Sequence, residues 1–188
     1  VNSITLAAAL RESGAEVIGL GIARDVLAQV EARLAEAKDR GADLIVSSAG
    51  VSVGTYDVVK TAVEAHGELN FWKVNMRPGK PLAFGNVFGL PFFGLPGNPV
   101  SALVSLEVFL RPVLARLLGR PWAPRALTAR LAKPYTSDGR ETYLRVRLTH
   151  EAEGAVAHLT GAQTSNLITS MVRADALLIV PAGTKELP

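Results

Sequence analysis

Apolar residues along this chain recur at two spacings, and the change from one to the other marks its elements. Ile4, Leu6, Ala9 and Leu10 fall on one helical face behind Asn2 or Ser3, either of which can cap the helix, and Gly14 stops it. Residues 16–20 read as a short strand leading into a glycine-containing loop. Asp25 ends that loop and can cap a helix with Leu27, Val30, Leu34 and Ala37 on its inner face and Gly41 at its close. Residues 43–48 form a continuous apolar run with polar ends, the pattern of a strand buried on both faces. A second glycine-rich loop spans 49–56, and a helix follows from about Asp57 to His66. Residues 69–74, 81–84 and 90–93 read as strands, and the loop 94–99 opens a long apolar helix from Val100 to about Leu118.

Alternating helices and short apolar strands predict an α/β fold over residues 1–120, a three-layer sandwich with a mostly parallel sheet. The pattern changes after Gly119. Residues 120–124 form a proline-rich linker, and beyond it 127–131, 142–148, 155–159 and 176–180 alternate as strands do. Residues 143–148 alternate cleanly, which predicts one buried face with Arg145 and Arg147 turned the other way. Residues 121–188 are therefore expected to form a small antiparallel β-domain, near the lower size limit for independent stability.

Composition narrows the possible chemistry. Hydrophobic residues make up 48% of the 188, ample for a packed core. The net charge is only +3, no Lys/Arg run tracks a phosphate backbone, and aromatics are 6%, so nucleic acid is not the expected partner. A local anionic ligand suits this modest positive balance better than a polymer. The absence of cysteine excludes disulfides, zinc-thiolate sites and cysteine nucleophiles, and fits a cytoplasmic protein. No apolar run approaches a membrane span. Val1 already lies in what reads as a helix and Lys185 to Pro188 reads as a turn, so both ends are expected to belong to something longer.

Ligands of open α/β sheets bind outside the carboxyl ends of the strands, and three polar loops fall there. In the first, Ser47 to Gly54, glycines and hydroxyls let backbone N–H groups approach an anion ahead of a helix start; an ordinary tight turn has the same composition. In the second, Lys73, Arg77 and Lys80 lie within eight residues around the Pro78-Gly79 turn. Arg by its two-pronged geometry and Lys as a point charge can hold phosphate or another oxyanion there, which fits better than a basic exposed hairpin. The third, Gly94 to Ser101, delivers a helix start with Pro99 at or near its first turn and Asn98 and Ser101 as hydrogen-bonding candidates, or is simple helix punctuation. Asp25 and Asp57 both precede helices; each reads as an N-cap, or the two together hold Mg²⁺ directly or through water. His66, His150 and His158 show no ligand spacing and read as structural.

Ser48-Ala49-Gly50-Val51-Ser52-Val53-Gly54, then Asp57, then Met76-Arg77-Pro78-Gly79-Lys80-Pro81, then Gly94-Leu95-Pro96-Gly97-Asn98-Pro99-Val100-Ser101 resembles the molybdopterin molybdenumtransferases, which include the bacterial molybdenum-insertion protein and the C-terminal domain of gephyrin. The order and spacings agree over essentially the whole chain. The resemblance implies a molybdopterin-binding, Rossmann-like fold. It also implies a reaction in which adenylylated molybdopterin binds, molybdate enters beside its dithiolene, and hydrolysis of the adenylate drives insertion with release of AMP and assistance from Mg²⁺. Catalytic roles pass to Asp57, Asp25, Lys73, Arg77 and Lys80, with Asp57 and Asp25 as metal ligands. Cofactor binding passes to Ser48, Gly50, Ser52, Gly54, Pro78, Gly79, Gly97, Asn98 and Ser101, completed by Arg140 beside Gly139 and by Ser165 in Gln163-Thr164-Ser165. A homodimer in the full-length form is implied too, with the molybdopterin adenylyltransferase or apo-molybdoenzymes as transfer partners and no nucleic acid or membrane.

The chain departs from the family pattern in places. Ala49 stands where glycine is usual, which suggests a backbone angle that a β-carbon tolerates. Thr55 stands where an acidic residue is common, and Arg77 replaces a common Lys while keeping its charge. An acidic strand-loop motif and two further domains are expected before Asn2, and a final strand after Pro188, so this chain by itself is expected to be inactive or poorly active. Two rivals remain. A molybdopterin adenylyltransferase shares the α/β domain but lacks the linker and β-domain, and a gephyrin-like interaction scaffold predicts a peptide groove on the small domain.

Overall fold

The computed structural model describes residues 1–49 and 58–188, apart from the side chain of Trp72. The chain divides into two compact units, residues 1–74 with 79–120, and residues 75–78 with 121–188. Residues 75–78, which the sequence pattern assigns to the first unit, belong to the second because they pair with a strand there.

The first unit carries a four-stranded sheet. Strand β1 (Ile45–Ser48) runs parallel to β5 (Leu90–Leu95), which pairs antiparallel with β4 (Pro81–Val87), and β4 pairs antiparallel with β2 (Gly67–Lys73). Period-two alternation sorts the side chains into two layers. Ile45, Ala83, Val87 and Phe92 meet Val30, Leu34 and Ala37 of α2 (Leu27–Asp39) and Ala62 and Val63 of α3 (Val58–His66). Leu82, Phe93 and Leu95 point the other way, against Leu6 of α1 (Asn2–Glu12) and Ala102 of α4 (Pro99–Ser105). Helices thus cover both faces, as the α/β pattern requires.

Three local features refine the expected elements. Residues 16–20 are not a strand: extended backbone needs a neighbour to share its amide bonds, and no described strand runs beside them, although Leu20 still packs on the α2–α3 layer. Helix α3 passes into β2 with no connecting residue, and Gly67 makes this possible, because a side chain there would collide with the Asn86 carbonyl. The long helix after Pro99 continues through a π-helical turn, Leu106–Leu110, into α5 (Arg111–Leu117). Pro112 accounts for the wider turn, since it has no N–H for the preceding turn and its ring crowds that turn. Arg111 ties this point to the end of α1, donating to Glu107 at 2.8 Å, to the Ser13 hydroxyl at 3.1 Å and to Glu12 at 3.0 Å.

In the second unit, β8 (Glu141–Glu151) is the long central strand. It pairs antiparallel with β9 (Gly154–Leu159) and with β10 (Ala176–Val180), and parallel with β3 (Met76–Arg77). Strand β6 (Ala129–Leu131) runs parallel to β9, and β7 (Tyr135–Thr136) pairs with β11 (Glu186–Leu187). Leu131, Leu144, Val146, Ala157 and Val180 form the core. Alternation holds along β8, yet Arg145 is not turned to solvent as expected: it is 1% exposed, while Arg147 is exposed. Residues 160–170, which include the start of α6 (Thr169–Val172), cover that second face and enclose the guanidinium.

Candidate functional site

In the first unit the parallel strands β1 and β5 end level with one another, Ser48 beside Leu95. Three chain segments are stitched together at this carboxyl edge. The Asn2 amide donates to the Ser48 hydroxyl at 2.7 Å and to the Gly97 carbonyl at 2.9 Å, the Ser48 hydroxyl donates to the Pro96 carbonyl at 3.4 Å, and the Ala49 N–H donates to the Leu95 carbonyl at 3.1 Å. Neither Asn2 nor Ser3 is the α1 cap: Val1 holds that position, and the Asn2 side chain is committed to the loops instead. Ser48 and Gly97 are therefore neighbours, and Asn98 and Pro99 follow at once as cap and first residue of α4, with Ser101 buried behind them. Asn98 makes no side-chain cap bond.

Ala49 has φ 71, in the left-handed region. The expectation of an angle that a β-carbon tolerates is therefore wrong: the chain places an alanine where its β-carbon crowds the following carbonyl. Gly97 answers this, because a β-carbon there would stand 3.2 Å from that of Ala49. The Ser47 hydroxyl beside this edge is buried without a hydrogen-bond partner among the described residues.

The basic loop is divided between the two units. Lys73, opposite Pro81 at the end of β2, and Lys80 are exposed on the first, where the Val74 N–H closes the loop by donating to the Lys80 carbonyl at 3.0 Å. The chain crosses to the second unit at Asn75 and returns at Gly79, whose φ of 110 suits only glycine. Pro78 and Gly79 are buried and shape the turn.

On the second unit Arg77 meets a residue that the sequence does not single out. Its Nη1 donates to Asp138 Oδ2 at 3.2 Å. Arg140 grips the same carboxylate with Nε, 3.2 Å from both oxygens, and with Nη2, 2.5 Å from Oδ2, while its backbone N–H donates to Oδ1 at 3.2 Å. Hydrogen bonds from Arg140 hold the Asp138 carboxyl well below the usual carboxylate range, and the charges of Arg140 and Arg77 act the same way. The expected anion residues Arg77 and Arg140 thus converge on one point. Asp138 pairs with a residue two positions on and with another 61 positions back, and only the first pairing has a local signal.

Arg145 is the second residue missed. Its Nε donates to the Ser170 hydroxyl at 3.2 Å and its Nη2 to the Thr164 carbonyl at 3.0 Å, while Gln163 bonds the Arg145 backbone on both sides. Burial pushes this guanidinium below the usual arginine value. Arg145 thereby fixes the segment that carries Ser165, itself half-buried. Of the acidic candidates, Asp25 is exposed, and Val26 rather than Asp25 caps α2. Gly50, Ser52, Gly54 and Asp57 lie outside the described residues. Among the described residues no group of three or more His, Asp or Glu side chains is placed to hold a metal ion.

Two family matches divide the chain as its units do. Residues 1–116 match a family described as a probable molybdopterin binding domain, and residues 128–188 match the MoeA C-terminal region, domain IV. The chain belongs to the molybdopterin molybdenumtransferase (MoeA) family. It is 42% identical over 200 residues to molybdopterin molybdenumtransferase 2 of Mycobacterium tuberculosis, covering 98% of this chain and 47% of that protein. It is 35% identical to the molybdopterin molybdenumtransferase of Haemophilus influenzae, covering 95% of this chain and 45% of the relative. The crystal structure of the MoeA molybdopterin biosynthesis protein from Pyrococcus horikoshii superposes with a TM-score of 0.83 at 32% identity, over 100% of this chain and 45% of that one. The chain spans about half the length of these MoeA relatives.

Proposed function

We propose that this chain supplies the pterin-binding and anion-holding parts of a molybdopterin molybdenumtransferase, which inserts molybdate into adenylylated molybdopterin and releases AMP. The observation that carries the reading is the basic loop, in which Lys73 and Lys80 are exposed and Arg77 converges with Arg140 on one carboxylate. Molybdate is a doubly charged tetrahedral anion and the adenylylated pterin carries phosphates, so such a protein must gather several cations. Arg77 and Arg140 on the second unit would hold an oxyanion and oppose the charge that develops on phosphorus as the adenylate is hydrolysed, and Lys73 and Lys80 offer exposed cations on the first. Ser48, Gly97, Asn98 and Ser101 would shape the pterin side, at the carboxyl edge of the sheet where such ligands bind.

Mg²⁺ would shield the phosphates. Asp25 is the one described member of the pair expected to hold it, and it stands exposed, with no group of three or more His, Asp or Glu side chains beside it among the described residues. The reading extends to a homodimer of the full-length protein, for which exposed Ile4, Ile22 and Leu27 offer apolar surface, to a cytoplasmic setting, and to hand-over involving the adenylyltransferase or apo-molybdoenzymes. No helix among the described residues is long and apolar enough to cross a membrane.

The test is Lys80→Ala in the full-length protein, with AMP release from adenylylated molybdopterin measured against molybdate concentration. Molybdate-dependent release should be abolished; unchanged turnover removes the role of Lys80. Supplying molybdopterin with ATP separates the rival, since adenylylation by this protein would favour the adenylyltransferase. The match of residues 128–188 to the MoeA C-terminal region favours the molybdenumtransferase.

A further inference from the structure

We propose that the Asp138 carboxylate is the resident counter-ion of the Arg77–Arg140 oxyanion site, and that an incoming anion must displace it, so that Asp138 sets the affinity of the site. This rests on the functional reading above and adds a device to it. The side edge of the Arg140 guanidinium, Nε with Nη2, is the edge that would take an oxyanion in two-pronged fashion, and Asp138 fills it. The same Oδ2 atom receives Arg77 Nη1 at 3.2 Å. One carboxylate oxygen therefore stands where a tetrahedral oxyanion would accept from both arginines.

Charge leads to the same conclusion. Two guanidinium groups and one carboxylate leave a single net positive charge, and a dianion entering with Asp138 in place would face a like charge at contact distance. If Asp138 swings away, the dianion meets two cations instead. The movement is inexpensive. The three side chains are between 33% and 44% exposed, so water replaces each lost bond, and Asp138 belongs to a short turn in which the Gly139 N–H is bonded separately to the Ser137 hydroxyl. Asp138 remains ionised at neutral pH, so it competes throughout the working range.

The experiment is calorimetric titration of the whole chain with molybdate in one arm and inorganic phosphate in the other, at fixed ionic strength. The variants are Asp138→Asn, Asp138→Asn with Arg140→Gln, and Glu151→Gln. Glu151 is an exposed carboxylate paired with Arg130 on the same unit, so it controls for net charge alone. Circular dichroism checks that each variant is folded. Asp138→Asn should lower Kd roughly three- to tenfold, the scale of releasing two exposed ion pairs. The added Arg140→Gln should cancel the gain, and Glu151→Gln should not reproduce it. A gain with molybdate alone assigns the site to the metal oxyanion, and a gain with phosphate alone assigns it to a phosphate of the pterin nucleotide. Equal or weaker binding by folded Asp138→Asn, or an equal gain in Glu151→Gln, overturns the inference. If the wild-type chain binds anions and the double variant loses that binding while Asp138→Asn gains nothing, the functional reading survives and only the counter-ion role falls. If binding does not depend on Arg140, the anion-holding role given to these arginines falls along with the counter-ion role.

Discussion

The Asn2 side-chain amide lies 2.7 Å from the Ser48 hydroxyl, joining the first turn of α1 to the end of β1 across 46 positions of sequence. A second bond from the same amide reaches the Gly97 carbonyl, so one side chain sets the distance between two loops at the carboxyl edge of the sheet. Asn2→Ala should lower the unfolding free energy by about 1–2 kcal/mol, the scale of two partly solvated hydrogen bonds. Denaturant unfolding monitored by circular dichroism reads this directly, and a midpoint identical to wild type would count against the link.

Ala49→Gly should stabilise the chain. The left-handed φ of 71 costs alanine about 1–2 kcal/mol, and part of the relief is offset by the greater backbone entropy that glycine loses on folding. A net gain of about 0.5–1 kcal/mol is expected in thermal or denaturant unfolding. Destabilisation by the glycine would mean that the alanine methyl group contributes more through its packing than the backbone angle costs.

Arg145→Ala should be the most damaging single change in the second unit. It empties a buried site and leaves the Thr164 carbonyl and the Ser170 hydroxyl short of a donor, which together cost about 2–4 kcal/mol. Hydrogen exchange should rise over residues 163–170, the segment that the guanidinium holds. Unchanged protection there would show that the segment is fixed by something other than Arg145.

The carboxyl of Asp138 is held below its ordinary value of 3.8 in the folded protein, mainly by hydrogen bonds from Arg140. Below about pH 4 the unfolded chain therefore takes up this proton before the folded chain does, and stability falls as the pH falls. Its contribution is fully present above that range. Asp138→Asn should show a shallower acid limb when melting temperature is followed from about pH 5 downward. Parallel limbs for the two proteins would show that the arginines make no net difference to the Asp138 proton.

Much of the fold was legible from residue spacing. Val30, Leu34 and Ala37 repeat at helical intervals and are buried, and the alternation of Leu82, Ala83, Phe92 and Phe93 divides the two layers of the first unit. The site was legible in part. Ser48, Gly97, Asn98 and the basic residues 73–80 stand out because glycine, proline and charge in a loop between apolar strands have a local cause. Asn2 and Asp138 did not stand out, since each looks locally like an ordinary cap or turn residue, and their deciding partners are distant. Arg145 was placed on the correct face of β8, but alternation says only which face a residue takes and not whether another segment covers it.

The sequence by itself determined the periodicities, the turns forced by Gly and Pro, and the concentration of cations around Pro78-Gly79, because each follows from backbone preference or charge within a few residues. Tertiary structure alone decided that Asn2 joins Ser48 to Gly97, that Ala49 sits at a positive φ, that Arg145 is enclosed, and that Arg77 and Arg140 share the Asp138 carboxylate. These depend on segments brought together by burial of their apolar faces. A hydrogen bond or an ion pair is short-ranged, so its partners are set only once the core has placed them within reach.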